Sequence, residues 1–498
     1  MAVAGQSSSM EKQEEQPLHI FVFPFMAHGH TIPMIDTAKL LASRGVRITL
    51  LTTKLNSPLF TKSTLNFPPS TIAVHAFDFQ TAAAGLPDGC EDFDFISSRN
   101  SSFDVIANFF KATFMLQDQF EDLIAKTRPD CVISDAFFPW TTASAAKYGI
   151  PRLVFRGTSF FSSCVSEFIT RYKPHDAVSS DSEPFLVPGL PDPVMVTRNQ
   201  MPPPDKLTSE TFLGKVLKQI ADSGKESYGS VNNTFHELEP AYADLYNEIL
   251  GEKKKVWSIG PVSLCNNEVK DRANRGGKES SIDEDSLLQW LDSKPPRSVV
   301  YVCFGSLANF SDSQLKEMAA GLEISEHRFI WVVRKGEKSG EKSDWLPEGF
   351  EERMEGKGLI IRGWAPQVLI LEHKAVGGFI THCGWNSTME GIAAGVPMVT
   401  WPVSAEQFYN ETFVTDILCV GVGVGVKEWT MYGGGVEGGK VAAAVVKVMS
   451  ESAAAVEMRR RVAELGKMAR RSVEEGGSSF GNLGELIEEV KRCRIDNF

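Results

Sequence analysis

This sequence has no CxxC pair, no uninterrupted apolar run of membrane-spanning length and no surplus of positive charge, and each absence removes a class of protein. Its eight cysteines, Cys90, Cys131, Cys164, Cys265, Cys303, Cys383, Cys419 and Cys493, are scattered singly. That argues against a zinc ribbon, a redox motif or a small disulfide scaffold, and for reduced thiols. The opening stretch MAVAGQSSSMEKQEEQ is polar and acidic and lacks the apolar centre of a signal peptide, so a cytosolic chain is expected. A formal net charge of -12 sets the whole field against a nucleic-acid partner. No GxGxxG loop follows the first apolar strand and no Walker A lysine loop occurs, which removes dinucleotide redox enzymes and P-loop NTPases.

What is present is the balance of a globular protein, 42% hydrophobic and 23% charged over 498 residues, enough for two large domains. HIFVFP (19–24) reads as a buried strand, and 31–43 as a helix with Ile35, Ala38 and Leu41 on one face and Gly45 as its stop. Strand patterns recur at 46–53, 71–77, 131–135 and 152–155, with helical periodicity at 105–125, implying a parallel sheet covered on both faces. Residues 261–285 lose that periodicity and fill with charge, Asn, Gly and Ser, as a linker or exposed loop does. Alternation restarts with strands at 298–306, 329–334, 359–364, 377–382 and 397–401, and Ser311 to Gln314 has capping-box form. The end of the chain reads as helices, the last with Leu483, Leu486, Ile487 and Val490 on one face. The expected organisation is a tail (1–17), an N-terminal domain (18–260), the linker (261–285), a C-terminal domain (286–475) and a terminal helix (476–498) packing back on the first domain.

The densest polar and aromatic constellation is WAPQVLILEHKAVGGFITHCGWNSTMEGIAAGVPMVTWPVSAEQ (364–407). Within it GGFITH ends a strand, Cys383-Gly384-Trp385 turns, and Asn386-Ser387 opens a helix whose free N–H groups and dipole favour an anion by roughly 0.3–1 kcal/mol. His382, Asn386 and Ser387 add donors for a diphosphate, Glu390 can accept from sugar hydroxyls, and Trp364 can stack on a flat base. Singly, each residue has an ordinary structural role open to it; together they read as nucleotide-sugar recognition.

The stretch 364–407 closely resembles, without a gap, the signature box of plant secondary-metabolite UDP-glycosyltransferases. The resemblance extends from His19 to about Val490 and implies two Rossmann-like doubly wound α/β domains facing across a cleft (the GT-B fold), the acceptor on the first and UDP-sugar on the second. It implies Trp364 on uracil with Ala365 beside it, Gln367 and Glu390 on the ribose, and His382, Asn386 and Ser387 on the phosphates. Trp385, Glu406 and Gln407 would bind the sugar, with Ser306 also in the donor site. The terminal Gln resembles glucose-using members. No metal or organic cofactor is expected; UDP-glucose is a donor substrate, and the chain is expected to act as a monomer.

The second constellation is PFMAHGHTIP (24–33), where a histidine follows the first strand and faces the interdomain cleft. Its GHxxP turn resembles the family segment that carries the general base, which makes His30 the expected base. Asp135, at the end of CVISD, resembles the family's partner for that base, with capping of the following helix as its structural alternative. His28 is an expected helper or acceptor contact, and Phe25, Phe93, Phe138 and Trp140 are expected apolar walls for a flavonoid, phenolic or triterpenoid acceptor. Arg156 stands where similar sequences carry histidine. Asp92-Phe93-Asp94 and Asp283-Glu284-Asp285 have the DxD form of a metal motif, but both are expected to be solvated charge. The rival readings are transfer to an aromatic carbon, a nucleotide-sugar epimerase, and a binding protein without turnover.

Overall fold

The structure is a computed structural model that describes residues 16–98, 102–202, 211–333, 345–430 and 434–496. The expected tail at 1–17 thus lies almost wholly outside the described residues. Strands β1 (His19–Phe23), β2 (Arg47–Thr53), β3 (Ile72–Phe77), β4 (Cys131–Asp135) and β5 (Arg152–Arg156) appear where the apolar runs put them. A short antiparallel hairpin follows, β6 (Phe185–Val187) with β7 (Val194–Val196), then β8 (Gly229–Asn232) and β9 (Lys255–Ser258). All but the hairpin form one parallel sheet in the order β3-β2-β1-β4-β5-β8-β9. The second sheet is β10 (Val299–Cys303), β11 (Arg328–Val333), β12 (Gly358–Arg362), β13 (Val376–Thr381), β14 (Met398–Thr400) and β15 (Gly421–Gly423). It is also parallel, in the order β12-β11-β10-β13-β14-β15.

The central strands are apolar because both faces are covered: Ile20 to Phe23 in β1 and Val299 to Val302 in β10 are all buried. In each sheet the strand order reverses once, between β1 and β4 and between β10 and β13. Such a reversal opens a crevice at the carboxyl ends of the two strands, because their following connections run to opposite faces. The loops at these two crevices are those after Phe23, Asp135, Cys303 and Thr381, which hold the residues singled out from the sequence.

The segment read as a linker or exposed loop is instead folded against both halves. It contains a short helix, Val269–Asn274, and buries Val262, Ser263, Asn266 and Arg275. Its charged composition misled because its one buried cation is paired on both sides, as described below. The final helix, Ser478–Asp496, sinks Leu483, Leu486, Ile487 and Val490 into the apolar cluster that contains Ile20 and Trp257 of the first sheet. Ser479 Oγ donates to Gly260 O (2.6 Å), just past β9, and Lys255, the first residue of β9, pairs with Glu489 (2.5 Å), so the helix is fixed at both ends of that strand. None of the described helices is long and apolar enough to cross a membrane.

Candidate active site

The helix after β1 starts at His28, earlier than its sequence pattern suggested, and runs to Ser43. His30 lies in its first turn, and its Nδ1 meets Asp135 Oδ2 at 2.8 Å. Asp135 is buried at the end of β4, whereas the His30 side chain is 34% exposed, so the imidazole edge remains open to a substrate. The other carboxylate oxygen, Oδ1, accepts the Phe137 N–H (2.9 Å), so Asp135 orients the base and closes its own turn. Arg152 Nη2 donates to Asp135 O (2.9 Å) and its Nε to Ser134 Oγ (2.8 Å), which fixes the strand end beneath the dyad. Burial lowers the His30 pKa, but the charge and hydrogen bond of Asp135, helped by Glu406 and Asp94, outweigh it and hold the pKa above the ordinary value.

Across the cleft, β13 ends at Thr381, and the helix Trp385–Ala394 begins after Gly384, which offers no side chain to cap it. The first-turn N–H groups are therefore available to an anion. His382 stands beside them, gripped between two glycines. A Cβ on Gly305, whose φ is +69°, would lie 2.8 Å from Cε1 of its ring, and one on Gly384 would lie 2.4 Å from its Nε2. Burial pushes the His382 pKa down to about 4, so its ring is a neutral donor at physiological pH. Glu390, buried one turn further along, pairs with Gln367 Nε2 (2.6 Å), and Ser387 Oγ accepts from the same amide (3.0 Å). Trp364 leaves its Nε1 without a protein partner and carries Lys278 Nζ 5.5 Å from its ring centroid, with Ala365 buried beside it. Glu406, whose pKa burial raises, faces the cleft near His30, and Gln407 Oε1 accepts from the Val403 and Ser404 N–H groups (2.9 and 2.8 Å).

The two halves touch at this site. Asn386 Nδ2 donates to Gly29 O (2.5 Å), one residue before His30, and accepts from Asn233 Nδ2 through its own Oδ1 (3.0 Å). Ser306 Oγ donates to Asp94 Oδ1 at 3.0 Å.

A family model described as UDP-glucoronosyl and UDP-glucosyl transferase matches residues 20–452. The chain belongs to this family. It is a UDP-glycosyltransferase, and it is 51% identical over 491 residues to the UDP-glucose flavonoid 3-O-glucosyltransferase 7 of Fragaria ananassa, covering 97% of this chain and 98% of that one. It is 51% identical over 477 residues to the scopoletin glucosyltransferase of Nicotiana tabacum, covering 95% and 98%. A solved structure from Glycyrrhiza uralensis, complexed with glycyrrhetinic acid 3-O-monoglucuronide, superposes with a TM-score of 0.87 at 38% identity, covering 97% of both chains. One from Phytolacca americana, with UDP-2fluoro-glucose and pterostilbene, gives 0.74 at 28% identity, covering 96% and 100%.

Several residues of this glycosyltransferase stand elsewhere than their sequence context suggested. Asp92 and Asp94 are not solvated charge. Asp94 is buried between His28 Nδ1 and Ser306, and Asp92 lies 3.8 Å from the same ring nitrogen. Both sit under the loop after β1, which the sequence pattern of a polar loop could not reveal. His28 consequently turns away from an acceptor role: it is buried against Asp94, with its ring centroid 5.6 Å from that of Trp364. His28, Asp92 and Asp94, with ligand atoms all within 4.8 Å of one another, are the one His, Cys, Asp and Glu group among the described residues whose geometry would suit a cation.

Phe138 and Trp140 are core residues rather than pocket walls. Phe138 stacks on Phe23 at 4.1 Å, and Trp140 packs edge-on to Phe120 at 5.2 Å, both within the buried apolar cluster that contains Phe21 and Phe23. Phe25 is buried as well, beneath Phe93 (5.8 Å) and Phe137 (4.9 Å). Phe137, not singled out from the sequence although it lies in SDAFFPW, is the half-buried aromatic beside the base, 5.2 Å from the His30 ring. The Trp385 indole donates to Asn233 O (2.8 Å) and is buried, which leaves only its backbone for a sugar. Arg156 packs over Tyr246, 5.9 Å from the ring centroid.

Proposed function

We propose that this enzyme transfers glucose from UDP-glucose, with inversion, to a hydroxyl of a small apolar plant-type metabolite: a flavonoid, another phenolic or a triterpenoid. The observation that carries the reading is the Asn386–Gly29 contact, which sets the anion-binding helix end of one domain beside the base-bearing turn of the other. His30, neutral and oriented by Asp135, takes the acceptor proton. The acceptor oxygen then attacks the anomeric carbon from the side opposite UDP, and the carbon–oxygen bond to the diphosphate breaks. The charge released on the diphosphate is met by the N-terminus of the Trp385–Ala394 helix and by His382, so the reading assigns leaving-group stabilisation to fixed donors and not to a metal. Trp364 and Ala365 would hold the uracil, Gln367 and Glu390 the ribose, Ser387 a phosphate, and Glu406, Gln407 and the Trp385 backbone the glucose.

Glucose is supported by Gln407 at the end of the box and by the glucosyltransferase names of the relatives. Phe137 beside His30, and Phe93 packed on the neighbouring Phe25, support an aromatic or terpenoid acceptor. Oxygen as the attacking atom is supported by the O-glucosyltransferase name of the strawberry relative. Eight cysteines outside any disulfide suit a reducing, cytosolic setting, and a monomer suffices because one chain supplies both walls of the cleft. The test is mass spectrometry of products from UDP-glucose and a panel of flavonoids, simple phenols and triterpenoids, with and without EDTA. A hexose adduct formed equally in both is expected. No adduct with any acceptor contradicts transfer, and UDP-glucose converted without acceptor would indicate an epimerase.

A further inference from the structure

One buried cation in the cleft is used by none of the steps above. Arg275, in the segment that connects the two sheets, sends Nε to Asp36 Oδ2 (2.7 Å) and Nη1 to Glu390 Oε1 (2.5 Å). Asp36 lies on the helix that begins with His28 and carries His30, whereas Glu390 lies on the helix whose N-terminus faces the diphosphate. All three side chains are at most 9% exposed, so neither pair is an ordinary screened surface bridge. The remaining oxygens are also held. Asp36 Oδ1 accepts from Asn266 Nδ2 (3.0 Å) with Lys39 Nζ at 3.9 Å, and Glu390 Oε2 accepts from Gln367 Nε2 (2.6 Å). Two positive and two negative groups thus form a closed network from the first domain, through the connecting segment, to the donor box.

The backbone after Arg275 is closely hemmed in. Gly276 and Gly277 have φ of +86° and +69°; a Cβ on Gly276 would lie 3.0 Å from Ile32 Cδ1 and 3.1 Å from Trp364 Cζ2, and one on Gly277 would lie 2.3 Å from Leu59 O. The chain is threaded between the base-bearing helix and Trp364, and this threading aims the Arg275 side chain inward. A second ion pair from the same segment, Arg272 Nη1 to Glu372 Oε2 at 3.2 Å, holds it to the donor domain.

We propose that Arg275 is a positioning residue for donor recognition, clasping Glu390 into its ribose-binding orientation and tying that carboxylate to the helix that carries the base. The inference rests on the reading of Glu390 as a ribose ligand. A carboxylate oxygen accepts more than one hydrogen bond, so Glu390 can keep Arg275 and Gln367 while it receives ribose hydroxyls. The guanidinium meets the two carboxylates with separate nitrogens in a fixed planar geometry, which the single point charge of a lysine ammonium does not reproduce.

The test measures UDP binding by calorimetry, together with KM for UDP-glucose and for the acceptor, in wild type, Arg275→Gln, Arg275→Lys and Asp36→Asn, with circular dichroism as the check on folding. Arg275→Gln is expected to weaken UDP and raise KM for UDP-glucose by about 10- to 100-fold, the worth of one hydrogen bond to a charged group, with acceptor KM unchanged. Arg275→Lys recovers part of the loss. Asp36→Asn, which touches no ligand and keeps the side-chain shape, weakens UDP in the same direction. Unchanged UDP affinity in Arg275→Gln, or equal losses for donor and acceptor, overturns the inference; so does an unchanged affinity in Asp36→Asn should Arg275→Gln fail to fold. Wild type that binds no UDP overturns the donor-site reading, whereas wild type that binds it beside an unaffected Arg275→Gln overturns the inference alone.

Discussion

At His30 two demands compete. A general base must be neutral to accept a proton, yet it works better if the imidazolium it becomes is stabilised, and Asp135 at 2.8 Å serves the second demand at some cost to the first. Because the Asp135 interaction raises the His30 pKa, transfer is expected to fall on the acid side, starting at a higher pH than it would without that interaction. Asp135→Asn removes that charge, so the acid limb of the kcat profile moves to lower pH while kcat itself drops by roughly 10²- to 10⁴-fold; a pH–rate series on both proteins reads the two effects. Stability runs with the opposite sign. The pair's contribution is present in full below the unfolded histidine pKa and fades as pH rises through the raised folded value. Both members of the dyad were legible in the sequence because each follows an apolar strand within a recognisable motif. Phe137 and Arg275 were not: an aromatic in a run of aromatics and an arginine in a charged stretch differ from their neighbours only by what folds against them.

At the scale of elements, the strands rich in large apolar side chains, such as β1 and β10, were legible from their near-continuous apolar character. β6 to β9 and β15 were not, because each is only three or four residues long, and Gly229–Asn232 and Gly421–Gly423 also hold few large apolar side chains. Ser311 illustrates a partial outcome. It caps its helix by accepting from Gln314 N (3.2 Å), but the Gln314 amide, expected to complete the box, bonds instead to Val436 O (2.7 Å). Tertiary contact overrides local reciprocity there. The turn from β13 into the helix Trp385–Ala394 is the element proposed to meet the diphosphate; Cys383 bends it with φ of +64°, and Gly384 leaves room for the His382 ring. Gly384→Ala places a methyl against the His382 ring without backbone strain, because φ is -58°. The ring must move, and kcat/KM for UDP-glucose is expected to fall by about 10- to 100-fold with the thermal midpoint nearly unchanged, as steady-state kinetics and a melting curve together would reveal.

For the molecule as a whole, two parallel sheets each present one crevice, and the chain crosses between them so that the crevices oppose one another. The crossing was legible as a break in periodicity, but its packing was not, since composition alone describes the charges of 261–285 without their partners. In the proposed mechanism opposition of the crevices divides the chemistry: the proposed base lies on the first sheet, the helix end assigned to the diphosphate on the second, and contacts such as Ser306 with Asp94 and Asn386 with Gly29 bring them together. The central claim is that His30 performs the proton transfer and contributes nothing essential to holding UDP. Single-turnover transfer from UDP-glucose, measured beside UDP affinity in wild type and His30→Ala, tests it most directly. The account predicts transfer slower by about 10²- to 10⁴-fold with UDP affinity unchanged. Transfer at the wild-type rate, or a loss of transfer fully matched by a loss of UDP affinity, would contradict it.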